Sequence, residues 1–102
     1  MDVDKIYDYA KSRFDHARNK QILREKYQAK LVFAYGGGMW KAGPELINIL
    51  NIAKGNESIV IEDLYNNPIR VNAKEMLELS TVHWQEQMNG WLTEYEENNK
   101  ER

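Results

Sequence analysis

Three places in this chain combine residue type and spacing in ways that could support chemistry: Gly36-Gly37-Gly38, Glu62-Asp63, and His83 with Glu86. A glycine run can cradle phosphate through its N–H groups, but such a cradle opens into a helix and carries a Lys and a hydroxyl residue. Here the strand-like segment Met39-Trp40-Lys41-Ala42 follows, and no Gly-Lys-Ser/Thr is present. A hairpin turn is the better reading, because glycine takes positive φ at little steric cost. The helix start at Gly43-Pro44, with Lys41 nearby, is a weaker anion site and is better read as an ordinary helix start.

His83 and Glu86 stand three residues apart and can share a helix face, a spacing that carboxylate–histidine metal sites in bundles use. Such a site needs further carboxylates that nothing in the sequence nominates, so a surface pair is favoured. Within Glu62-Asp63 one carboxylate must point inward if the strand alternates, and its place beside a turn accounts for that without chemistry. The chain holds no Cys, hence no thiolate nucleophile, cysteine zinc site or disulfide. No catalytic residue, metal ligand or cofactor is expected, and the protein reads as a non-enzyme.

What remains is surface chemistry. Trp84, Met88, Trp91 and Tyr95 recur at +4, +3 and +4, a stripe of the residue types enriched in interface cores. Charge is segregated: residues 11–30 carry +5 and residues 75–102 carry -5 within a total of -2. Arg13, Lys20 and Arg24 supply steering charge on the basic segment. Opposite potentials predict that the basic and acidic segments lie against each other, within one chain or across a dimer. The basic segment with Tyr7, Tyr9, Phe14 and Tyr27 interleaved also resembles a nucleic-acid surface. Against that, Tyr7 and Phe14 fall on the apolar stripe and are expected in the core, and the acidic segment repels phosphate.

The elements that position these residues follow from period and punctuation. Val3, Tyr7, Ala10, Phe14 and Ala17 mark one face of a helix over 3–30, with Asp2 as N-cap; the stripe fails at Gln21 and resumes on a neighbouring face with Leu23 and Tyr27. Leu31–Tyr35 and Met39–Ala42 form a hairpin about the glycines. Pro44–Lys54, apolar nearly all round, predicts a buried helix ended by Gly55. Ser58–Leu64 and Ile69–Val71 form a second hairpin about Tyr65-Asn66-Asn67-Pro68. Asn72 with Glu75 begins the last helix, a relative of the capping box. Gly90 costs that helix about 1 kcal/mol relative to Ala. Its tail after Tyr95 is expected to fray.

The order α-ββ-α-ββ-α gives an α+β fold in one domain of 102 residues. The expected centre is a four-stranded antiparallel sheet on a buried helix, between two long amphipathic helices that the sheet is too small to cover. A span of about 28 residues is ~40 Å of helix, so these faces must find each other or a neighbouring chain. No apolar run reaches the ~20 residues of a membrane span, and Met1-Asp2-Val3-Asp4 has nothing of a secretory signal. An intracellular, cytoplasmic protein with no membrane partner is expected.

The segment Ala34-Tyr35-Gly36-Gly37-Gly38-Met39-Trp40-Lys41-Ala42-Gly43-Pro44-Glu45-Leu46-Ile47, with Asn67-Pro68-Ile69-Arg70-Val71-Asn72 and the aromatic, Glu-rich final helix, resembles small uncharacterised proteins of contractile-tailed bacteriophages, marine cyanophages in particular. The resemblance runs from about Asp4 to Tyr95 and rests on turn, cap and core residues. It implies a viral origin, a virion, assembly or host-takeover role, and a place in the host cytoplasm or the virion. Taken together, the expected function is protein–protein interaction or assembly through amphipathic helices, as a homo-oligomer or with another protein. Trp84, Met88, Trp91 and Tyr95 are the expected anchors. The alternative is a small nucleic-acid-binding module using residues 11–30.

Overall fold

A computed structural model describes residues 3–100, the side chain of residue 100 excepted. The elements are α1 (Val3–Ala29), β1 (Val32–Tyr35), β2 (Gly38–Lys41), α2 (Pro44–Ala53), β3 (Ile59–Glu62), β4 (Pro68–Val71) and α3 (Ala73–Lys100). The α-ββ-α-ββ-α order and the α+β class are as the patterning predicts. The cap expected at Asp2 lies outside the described residues. The final helix runs on through the stretch after Tyr95 as far as Lys100 rather than losing its form there.

The four strands do not make one sheet. β1 pairs antiparallel with β2, and β3 with β4, as two separate two-stranded ladders. Gly36 and Gly37 have φ of 59° and 87° and form the whole two-residue loop between Tyr35 and Gly38. Positive φ at both central positions is the tight-hairpin conformation, so the glycine run is spent on the turn. In the second hairpin Asn66 takes φ of 64°, a conformation Asn tolerates better than most residues.

The Asp63 side chain and a single backbone bond join the hairpins in place of a shared ladder. Asp63, just beyond β3, is only 5% exposed. Its Oδ1 accepts from the amides of Tyr65 (3.0 Å) and Asn67 (2.9 Å), shaping the turn. Its Oδ2 accepts from the Met39 amide (3.1 Å), and the Leu64 amide donates to the Met39 carbonyl (2.9 Å). The inward carboxylate of Glu62-Asp63 is thus a structural clamp. Gly38 makes room for it: a Cβ there would lie 2.9 Å from the Trp40 ring and 3.2 Å from Asp63 Cβ. The Trp40 indole N–H in turn donates to the Tyr35 carbonyl at 2.8 Å.

The core gathers Trp40, Leu50, Val71, Ala73 and Met76. The expectation of a buried central helix is overturned. α2 presents one face, with Leu50 its single buried residue, while Ile49 and Ile52 are exposed. Two short hairpins are too small to enclose a helix, so only the side against α3 is covered. At the α3 start Asn72 Oδ1 accepts from the Glu75 amide (3.0 Å), satisfying a donor that the helix leaves free. Glu75 does not complete the reciprocal box; its carboxylate stands by the Tyr35 hydroxyl, which burial first and this charge second push above its ordinary pKa.

The amides around Asp63 hold its carboxyl below the usual aspartate range, the Asn67 amide most strongly; burial opposes this, and the Met39 and Tyr65 amides add to it. Between the two pKa values the unfolded chain binds more protons. This stabilisation is therefore complete above the unfolded-state value and is lost as pH falls through the folded one. Asp63→Asn turns an amide donor toward at least one backbone N–H. The variant is expected to be less stable at pH 7 and to lose less on acidification than wild type, as urea melts between pH 7 and pH 2.5 would show.

Candidate interaction surfaces

α1 and α3 meet along an antiparallel seam built from few residues. The final helix places Gly90 where a Cβ would stand 3.0 Å from the Tyr27 ring. The glycine that looks like a flaw in helix propensity is therefore the slot that admits Tyr27, one of only two buried residues of α1, with Leu23. One turn on, Glu94 Oε1 accepts from both the Tyr27 hydroxyl and Lys26 Nζ, the latter at 2.7 Å. At the other end, His83 Nε2 lies 2.7 Å from the Lys30 carbonyl. A carbonyl only accepts, so Nε2 carries the proton. The bond satisfies a carbonyl at the exposed end of α1. His83 also packs on Phe33, with ring centroids 5.6 Å apart.

The charges of this seam reinforce one another. Hydrogen bonds from Lys26, first, and Tyr27 hold the Glu94 carboxyl below its ordinary pKa against partial desolvation. The same carboxylate raises the pKa of Lys26 and of the Tyr27 hydroxyl. The basic and acidic segments thus lie against each other within one chain, although neither Lys26 nor Glu94 stands out by type or spacing. A mid-helix glycine in an otherwise strong helix is the signal that could have found the seam.

The seam covers only the second half of α1. Every residue from Val3 to Asp15 is exposed, and Tyr7 and Phe14, expected in the core, are each 67% exposed. The reason is angular. At about 100° per residue, the Val3–Ala17 stripe lies roughly two-fifths of a turn from the Leu23/Tyr27 face. Docking the latter on α3 turns the former away. Lys20 and Asn99 line one cleft close to the described end of α3, so residues 3 to about 15 project some 20 Å past it. The chain is accordingly elongated, 68 × 26 × 20 Å with a radius of gyration of 19.6 Å, against ~13 Å for a compact chain of this length.

The aromatic stripe of α3 divides. Trp84 is half-buried and lines a cavity of about 370 Å³ with Trp40, Pro44 and Leu64. Met88, Trp91 and Tyr95 stay together and, with Leu92, line a shallow apolar groove of about 240 Å³. Leu92 is exposed and belongs to this surface, although the +4, +3 spacing passes over it. Arg13 lies over the ring of Tyr9 at 5.8 Å on the projecting part of α1, and Arg24 is exposed nearer the seam. Lys20 lines the cleft shared with Glu94 and Tyr95. The turn glycines, His83 and Glu86 do not converge with these residues. Among the described residues no group of three His, Asp or Glu side chains is placed to hold a metal ion, and no helix is long and apolar enough to cross a membrane.

The slot at Gly90 yields a signed prediction. Gly90→Leu adds helix propensity worth about 0.8 kcal/mol, but it overpacks Tyr27, at a typical cost of about 1–3 kcal/mol. The single variant is expected to melt below wild type. In a Tyr27→Ala background the same change is expected to raise the melting temperature, so a double-mutant cycle by thermal melting should return opposite signs in the two backgrounds.

Comparison of the chain with protein-family models, with curated proteins and with solved structures returned no match.

Proposed function

We propose that this chain is a non-enzymatic interaction or assembly protein that associates with itself through its amphipathic helices. The observation that carries the reading is the pair of uncovered apolar surfaces on its two longest elements. One is the Val3–Ala17 stripe of α1; the other is the Met88, Trp91, Leu92 and Tyr95 groove of α3. Both carry large aromatic side chains, the residues that anchor interfaces. A projecting helix of about 15 residues with one uncovered apolar face is marginal in water without a packing partner. The resemblance to small proteins of contractile-tailed phages fits an assembly role, with the host cytoplasm or the virion as its setting.

A second reading, a nucleic-acid-binding module, draws on the same projecting helix. Tyr7, Tyr9 and Phe14 are exposed beside Arg13, Arg18 and Lys20, so the objection that two of these aromatics belong to the core no longer holds. The acidic face of α3 still opposes phosphate. Self-association accounts for both surfaces, whereas nucleic-acid binding leaves the α3 groove without a role.

Light scattering over a hundredfold concentration range is expected to show a mass above that of the 12.0 kDa chain. Trp91→Ala is expected to weaken assembly by about 30-fold, the loss of one strong anchor. Leu92→Ser, at an exposed position, checks that the loss does not come from unfolding. A monomer at every concentration, with a gel shift that fades steeply as salt rises, would favour the nucleic-acid reading instead.

A further inference from the structure

The two uncovered surfaces match each other. At about 100° per residue, Arg13 and Lys20 border the α1 stripe on one side and Lys11 and Arg18 on the other. On α3, Met88, Trp91, Leu92 and Tyr95 are centred roughly 130° from the Gly90/Glu94 face that holds α1, with Glu94 and Glu96 on the two borders. Residues 11–24 carry five basic side chains against Asp15; of the four Glu in residues 86–97, Glu94 and Glu96 border the groove, while Glu86 and Glu97 fall on the opposite side of the helix. An apolar strip edged with cations thus matches an apolar groove bordered by Glu96 on one side and, on the other, by Glu94, which the seam already holds through Lys26 and Tyr27.

We infer that the projecting part of α1 lies in the Met88–Tyr95 groove of a second copy of this chain, and that the second copy returns the same contact. This inference rests on the self-association reading and adds its geometry. The chain's own arm cannot fill its own groove. The Tyr27–Gly90 seam fixes α1 antiparallel to α3 on a different face, and Phe14 lies roughly 18 Å beyond the level of Leu92 along the axis. Exchange between two copies uses both surfaces twice and closes on itself, leaving no open end for further growth. Opposite charge along the borders sets the direction in which the arm lies and disfavours pairing of one basic arm with another.

The absence of cysteine makes the test direct. Phe14→Cys and Leu92→Cys fall at exposed positions, and a disulfide requires Cα atoms within about 7 Å, a distance the two sites cannot reach within one chain. In the double variant, mild oxidation is expected to give a covalent dimer on a non-reducing gel, and neither single variant alone is expected to give it in comparable yield. Phe14→Glu is expected to weaken assembly about 30-fold, read by sedimentation. A wild-type oligomer that neither cross-links between these positions nor responds to Phe14→Glu would overturn the arm exchange and leave self-association standing. A wild type that stays monomeric at all concentrations would overturn both.

Discussion

Asp63 is the group on which the centre of the molecule depends. Two-stranded ladders are marginal alone in water, and these two share no ladder. One carboxylate accepts amide N–H groups from the turn of the second hairpin and from the second strand of the first. It thereby converts two weak units into one platform. The surroundings follow from its burial: Gly38 lacks a side chain because Trp40 and Asp63 occupy its space. Trp40 then closes the core against Leu50 and Met76.

Upon that platform α3 is anchored at its start by Asn72 and in its first turns by Met76. The remainder extends beyond the hairpins and meets the end of α1. The seam is narrow, consisting of Tyr27 in the Gly90 slot, a three-group hydrogen-bonded cluster at Glu94 and the His83–Lys30 bond. Its narrowness decides how much apolar surface stays uncovered. A longer antiparallel pairing would have consumed the apolar faces of both helices. This one commits Leu23 and Tyr27 and leaves the Val3–Ala17 stripe and the Met88–Tyr95 groove uncovered.

Much of the fold is legible in local chemistry. Gly36-Gly37, Asn66 and Asn72 each occupy a conformation or cap that their residue type favours, and the long helices follow from 3.6-residue periodicity with no Pro to interrupt it. The sheet is not legible, because nothing in four short strands states which edges pair. Asp63 takes over the task by side-chain bonding, which leaves no periodic trace. The helix Pro44–Ala53 is misread for a related reason: its composition suits burial, but the hairpins are too small to surround it. Of the surface residues, Met88, Trp91 and Tyr95 are visible as a stripe. Leu92, which shares their groove, and Lys26 with Glu94, which hold the seam, are not.

The sequence by itself determined the element order, the two turns, the Asn72 cap and the segregation of charge onto two helices, because each depends on residues within a few positions of one another. Only the tertiary structure decided which stripe of each helix is spent inside the chain. That choice rests on Tyr27 meeting Gly90, 63 positions apart in the numbering. The two apolar stripes of α1 are about two-fifths of a turn apart. The seam can take one of them, and the other faces outward.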